Sequence, residues 1–97
     1  MSDVPFPIDR IFDVKQTYQA LDQSACRFVF TSQHSYADMA HWYESELERS
    51  GWRINAQYQF DGSIAILADR PSKFLHISIQ KLSSDKTRSS ILVGLKR

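Results

Sequence analysis

From Arg53 to Phe60 the chain alternates without a fault, with Ile54, Ala56, Tyr58 and Phe60 apolar and Arg53, Asn55, Gln57 and Gln59 polar. Successive strand side chains point to opposite faces, so the run predicts a strand with one dry and one wet face, as in an antiparallel sheet covered on one side. The same period appears from Ile11 in IFDVKQTYQ, where Phe12, Val14 and Tyr18 oppose Asp13, Lys15 and Gln19. It recurs in CRFVFTS, with Cys26, Phe28 and Phe30 on one face and Arg27, Val29 and Thr31 on the other. KFLHISIQKL sends Leu75, Ile77 and Ile79 inward and Phe74, His76, Ser78 and Gln80 outward. In SILVGLK, Ile91, Val93 and Leu95 face the core, with Leu92 and Gly94 outside.

ALDQSA reads as a loop, Arg70-Pro71-Ser72 as a break, and SSDKTRS as a polar, mobile loop with no apolar anchor. Asp61-Gly62 marks a hairpin into SIAILAD, and the parity of the isoleucines selects its loop. A two-residue loop pairs Phe60 with Ser63 and sets Ile64 and Ile66 beside Gln57 and Gln59. A three-residue loop, with Gly62 left-handed, pairs Gln59 with Ser63 and sets the isoleucines beside Tyr58 and Ala56. The apolar pattern predicts the three-residue loop.

One segment changes period. Ser35 is a good N-cap with Asp38 three residues on, and Gly51-Trp52 is a helix stop in which Trp52 folds back on Leu47. Between them Tyr36, Met39, Ala40, Tyr43 and Leu47 share one stripe at helical spacing, predicting an amphipathic helix over about 35–50. Trp42 falls outside the stripe, at the helix edge or exposed. The order is β-β-α-β-β-β-β: a two-layer α+β domain, one helix on a mainly antiparallel sheet of five to six strands. Residues 1–97 read as a single domain, and 1–10, with Pro5 and Pro7, as an irregular arm.

The run Trp42 to Trp52, WYESELERSGW, together with VPFPIDRIF ahead of a hairpin, resembles a group of small bacterial domains of unknown function. Their helix ends in a Tyr-x3-Leu-x3-Gly-Trp pattern and several antiparallel strands follow. Pro7, Tyr43, Leu47, Gly51 and Trp52 match. The resemblance implies the same β-β-α-β-β-β-β fold and no activity. Members often sit in exported lipoproteins, whereas this chain has no lipobox cysteine near its start.

Charge and composition narrow the functional classes. Twelve Lys and Arg against eleven Asp and Glu leave no strong long-range field of the kind nucleic-acid and membrane-surface binders use. A lone Cys26 forms no internal disulfide, and with no signal-like or membrane-spanning apolar run the expectation is a cytoplasmic protein. His34 and His41 have no useful ligand spacing, so no metal and no cofactor is expected. A Cys26-His76 pair gives way to a core cysteine. Asp38, Glu44, Glu46 and Glu48 form a solvated helix face rather than a catalytic dyad.

A single helix covers one face of a sheet. The other, carrying Val29, Phe74, His76 and Leu92, must be covered by the arm through Phe6 and Ile8, by a second copy, or by another partner. With Trp42 on the helix flank as an anchor, these residues predict a non-enzymatic protein-interaction module, either a homodimer or a small adaptor or inhibitor. The alternative is a weak single-stranded nucleic-acid binder. There Phe74 and His76 would stack bases, and Lys73, Lys81, Lys86, Arg88, Lys96 and Arg97 would supply the charge. An enzyme built on Tyr18, Tyr58 and His76 has least support, since no convergent set is visible.

Overall fold

The computed structural model describes residues 4–12, 18–22 and 25–95, with side chains omitted for 18–22. Val14, Lys96, Arg97 and the side chain of Tyr18 lie outside the described residues. The elements are β1 (Ile11–Phe12), β2 (Tyr18–Asp22), β3 (Ala25–Ser32), α1 (Tyr36–Arg49), β4 (Arg53–Phe60), β5 (Ser63–Arg70), β6 (Lys73–Ser83) and β7 (Lys86–Leu95). All strands join one antiparallel sheet in the order β1-β3-β7-β6-β5-β4, with β2 also on β3. Since β1 pairs with the end of β3 and β2 with its start, the two lie end to end and the sheet is six strands across. The expected two-layer α+β class is what the chain forms.

Both ends of α1 are closed as the sequence requires. The Asp38 N–H donates to Ser35 Oγ at 3.2 Å, satisfying one of the orphan donors of the first turn. At the other end Trp52 N–H donates to Leu47 O at 2.9 Å and Gly51 N–H to Glu48 O at 3.2 Å, the paired bonds of a Schellman stop. Gly51 has φ +84°, which a Cβ would disfavour. Met39, Ala40, Tyr43 and Leu47 are buried and Tyr36 is half-buried, so the predicted stripe is the core face.

Beneath the stripe lie Ile64, Ile66 and Ala68 of β5, Leu75, Ile77 and Ile79 of β6, Ile91 and Val93 of β7, and Phe30 of β3, all buried. Burying each of the larger side chains is worth about 1.5–3 kcal/mol, so this layer between helix and sheet carries the fold. Three polar side chains share it. Ser32, Thr87 and Ser89 are buried, and the Ser32 and Thr87 hydroxyls are 3.2 Å apart. SSDKTRS is therefore no loop: only Ser84 and Asp85 separate β6 from β7, and the Thr87 hydroxyl meets Ser32 inside the core where an apolar anchor would stand.

The hairpin after β4 corrects the predicted register. Phe60 pairs with Ser63, Gln59 with Ile64, Tyr58 with Ala65 and Gln57 with Ile66, so the loop is the two-residue Asp61-Gly62, with Gly62 at φ +78°. Ile64 and Ile66 lie beside Gln59 and Gln57 after all, and the isoleucines are still buried because α1 covers them. What makes this possible is a bulge. Ile54 pairs with Ala68 but Ala56 with Leu67, so Asn55 is an extra residue that reverses the side-chain parity along β4. Ile54 stays on the helix side, while Ala56, Tyr58 and Phe60 turn to the reverse face.

The arm also departs from expectation. Phe6 packs edge-on against Phe12, Phe28 and Phe30, at centroid distances of 5.3, 5.4 and 5.8 Å, and Val4 joins the core. Phe28 and Phe30 face the helix side, so the arm extends the helix layer and does not cover the reverse face. Ile8 is 97% exposed.

Two measurements test this account. Gly51→Ala places its Cβ no closer than 3.7 Å to Arg70, so the cost is that of the left-handed backbone, about 1 kcal/mol, read as a lower urea midpoint with unchanged slope. The second concerns Tyr43, whose buried hydroxyl has no hydrogen-bond partner among the described residues. Burial drives its phenol far above the ordinary range, against a smaller opposing pull from Arg10. Folding therefore keeps a proton that the unfolded chain releases above about pH 10, and stability falls as pH rises beyond that point. Tyr43→Phe removes an unpaired polar atom, so it should match or exceed the wild type at pH 7 and lose the alkaline decline, measured by urea titration between pH 7 and 11.

Candidate functional site

Side chains on the reverse face fall into rows running across the strands. One row reads Arg27, Leu92, His76, Leu67 and Ala56, from β3 through β7, β6 and β5 to β4. The next reads Val29, Ser90, Ser78, Ala65 and Tyr58. Its three central members are small, so the second row is a floor and the first a wall. The result is a trough of about 320 Å³ lined by Arg27, Ala65, Leu67, His76, Ser78, Ser90 and Leu92. Arg27 closes one end, its Nε donating to Ser90 Oγ at 3.4 Å. Past the trough, Tyr58, 52% exposed, ends the floor row on β4, and Phe60, 59% exposed, lies in the row beyond with Arg88 and Gln80.

Of the five residues expected to form an interface, the structure brings three together. His76 pairs directly with Leu92, and the Phe74 and His76 rings are 5.1 Å apart. Val29 is on the same face but only 1% exposed. Trp42 is in the other layer, half-buried and edge-on to Tyr43 at 4.9 Å, so it contributes nothing to this face. It lines instead a hollow of about 510 Å³ with Phe6, Pro7, Ile8, Asp9 and His34. There Asp9 lies 3.4 Å from His34 and accepts the Gln33 N–H at 2.8 Å, holding the arm to the turn before α1.

Tyr58 and Phe60 are the members the sequence pattern hid. Their alternation with Ile54 assigns them to the core, and only the bulge at Asn55 turns them out. Asn55 is polar where the alternation calls for a polar residue, so the bulge leaves no trace in the pattern.

The alternative constellations do not assemble. Among the described members of the basic set, Lys73 and Lys81 have the parity of the helix side, Lys86 lies at the β6–β7 turn, and Arg88 lies on the aromatic face. Cys26 pairs with Val93 on the helix side, whereas His76 is on the reverse face. His76 and Tyr58 are both exposed and lie two strands apart, in different rows. On the helix, Glu46 pairs with Arg49 at 3.3 Å and Glu44 with His41 at 3.7 Å, a solvated face. Among the described residues no three His, Cys, Asp or Glu side chains gather as metal ligands, and no helix is long and apolar enough to cross a membrane.

A START domain-like family model matches residues 13–89, from before β2 into β7, and so takes in the helix and the three hairpins that join β4 to β7. The chain belongs to the START domain-like family. Among curated proteins none matches it. Membership in this START domain-like group accords with a small domain of unassigned role and is silent on its ligand or partner.

Proposed function

We propose that this START domain-like chain is a non-enzymatic protein-interaction module that binds another protein through the reverse face of its sheet. One observation carries the reading: the trough floored by Ala65, Ser78 and Ser90 opens to solvent on the side of the sheet that α1 leaves uncovered. The opposite side is already filled, with Ile66, Ile79, Leu75, Ile91 and Val93 each at 0% exposure beneath the helix. Leu67 and Leu92 offer apolar contact while Arg27 and His76 offer donors, which suits a protruding apolar side chain next to a carboxylate or carbonyl acceptor.

A photoreactive phenylalanine analogue placed at His76 or Leu92, with the same group at His41 as control, tests the reading in the cells that make the protein. The expected result is one recurrent protein adduct at positions 76 and 92 and none at 41. Filling the floor with Ser78→Leu should abolish that adduct while changing stability by no more than about 0.5 kcal/mol, because the site is on the surface. Absence of adducts at 76 and 92, or adducts unaffected by Ser78→Leu, sinks it.

A further inference from the structure

The two sides of the sheet end differently. On one side β1 is two residues long, follows Pro7 closely, and is succeeded by β2 with a shifted register, all of which blunt an edge. At the other side β4 is an eight-residue strand that, among the described residues, pairs only with β5. Beyond its bulge at Asn55 the run Ala56 to Phe60 contains no proline, no lysine and no charge. A two-residue loop closes on a hydrogen-bonded pair, so Phe60, Tyr58 and Ala56 direct their backbone groups to β5. The N–H and C=O groups of Gln57 and Gln59 then point away from the sheet.

We infer that a second copy of this chain adds to the β4 edge, pairing β4 with β4 antiparallel about a two-fold axis at Tyr58. This surface is the β4 backbone edge, beside the trough, and the inference does not depend on the reading above. Three features select a like partner. Self-pairing centred on Tyr58 joins Gln57 to Gln59 of the other copy by backbone hydrogen bonds, once on each side of the axis. The same register sets Phe60 opposite the small Ala56 on the reverse face, and Tyr58 opposite Tyr58 at the close, non-hydrogen-bonded spacing, a self-complementary arrangement of large and small. Charge chooses the direction. Arg53, already held by Asp69 through two hydrogen bonds of 3.2 Å, and Asp61 flank the uncharged run, and an antiparallel partner avoids the like-on-like ends that a parallel one sets together. Pairing would also cover part of the exposed Tyr58 and Phe60 rings.

The full chain, run by size exclusion with light scattering from about 1 to 200 µM, should move from the 11.2 kDa protomer toward twice that mass. Gln57→Pro removes an outward N–H that β5 does not use, and Tyr58→Lys brings two cations together at the axis. Each should weaken dimerisation at least tenfold with the circular dichroism spectrum retained. In a Cys26→Ser background, Tyr58→Cys should oxidise to a disulfide dimer, and Leu92→Cys should not. A wild-type monomer at 200 µM overturns the inference. So does a dimer that withstands Gln57→Pro and Tyr58→Lys, or one cross-linked through position 92 and lost in Ser78→Leu, which would place self-association in the trough and leave the reverse-face reading standing.

Discussion

Side chains on an antiparallel strand alternate with a period of two, and a single extra residue inverts everything beyond it. In this chain Asn55 is that residue. Without the bulge, the two-residue turn at Asp61-Gly62 would force a choice between burying Ile64 and Ile66 and keeping Ile54 with the core. With it, Ile54 packs under the helix end while Ile64 and Ile66 remain buried, and the displaced apolar residues of β4 emerge on the opposite side. The β4 share of the reverse face and the character of the β4 edge follow from where that residue was inserted.

The helix sets the second limit. Fourteen residues of α1 provide one apolar stripe, and the described contacts place it over β4, β5, β6 and β7. The arm continues this layer toward β3, where Phe6 shields Phe28 and Phe30 and Arg10 lies over the Phe6 and Phe12 rings. Near the helix C-terminus Arg70 donates to Ser50 O and lies 4.8 Å above the Trp52 ring, tying the β5–β6 turn to the helix stop. All these reinforcements are on one side. A domain of this size buries a modest share of its surface, and here nearly every large apolar contact goes to a single layer.

What could be read from the amino-acid order divides along the same line. The helix was legible to the residue because its signals are local: Ser35, Asp38, Gly51 and Trp52 each act within one turn, and the stripe between them needs no partner to be seen. The first strands were not: β1 is Ile11–Phe12, and β2 takes in Ala20 to Asp22 of the expected loop. The later strands were legible for the same reason as the helix, apart from the hydroxyl-rich start of β7. There Thr87 enters the core paired with Ser32, and Ser89 is buried opposite Phe30, which no hydropathy pattern announces. Register was not legible at the Asp61-Gly62 hairpin, since a perfect alternation over Ile54 to Phe60 gives no hint of a bulge within it. The candidate site inherited that error: Phe74, His76 and Leu92 were placed on the open face, but Tyr58 and Phe60 were hidden from it, and Trp42 was joined to it although the sheet stands between them.

The filled helix layer then bears on how a START domain-like chain of this length could act. Ile66, Leu75, Ile77, Ile79, Ile91 and Val93 meet Met39, Tyr43 and Leu47 with almost no exposure, so a ligand could enter between helix and sheet only by displacing side chains whose burial holds the domain together. Removing even one such contact costs about 2–5 kcal/mol, a large part of the 5–15 kcal/mol that a domain usually has. The reverse face carries no such penalty. Its floor is made of Ala65, Ser78 and Ser90, its apolar wall is already solvated, and occupying it adds burial instead of exchanging it. Under the proposed reading, energetics favours the open side of the sheet over the helix layer, and the bulge at Asn55, by turning Tyr58 and Phe60 toward that side, adds exposed apolar surface there.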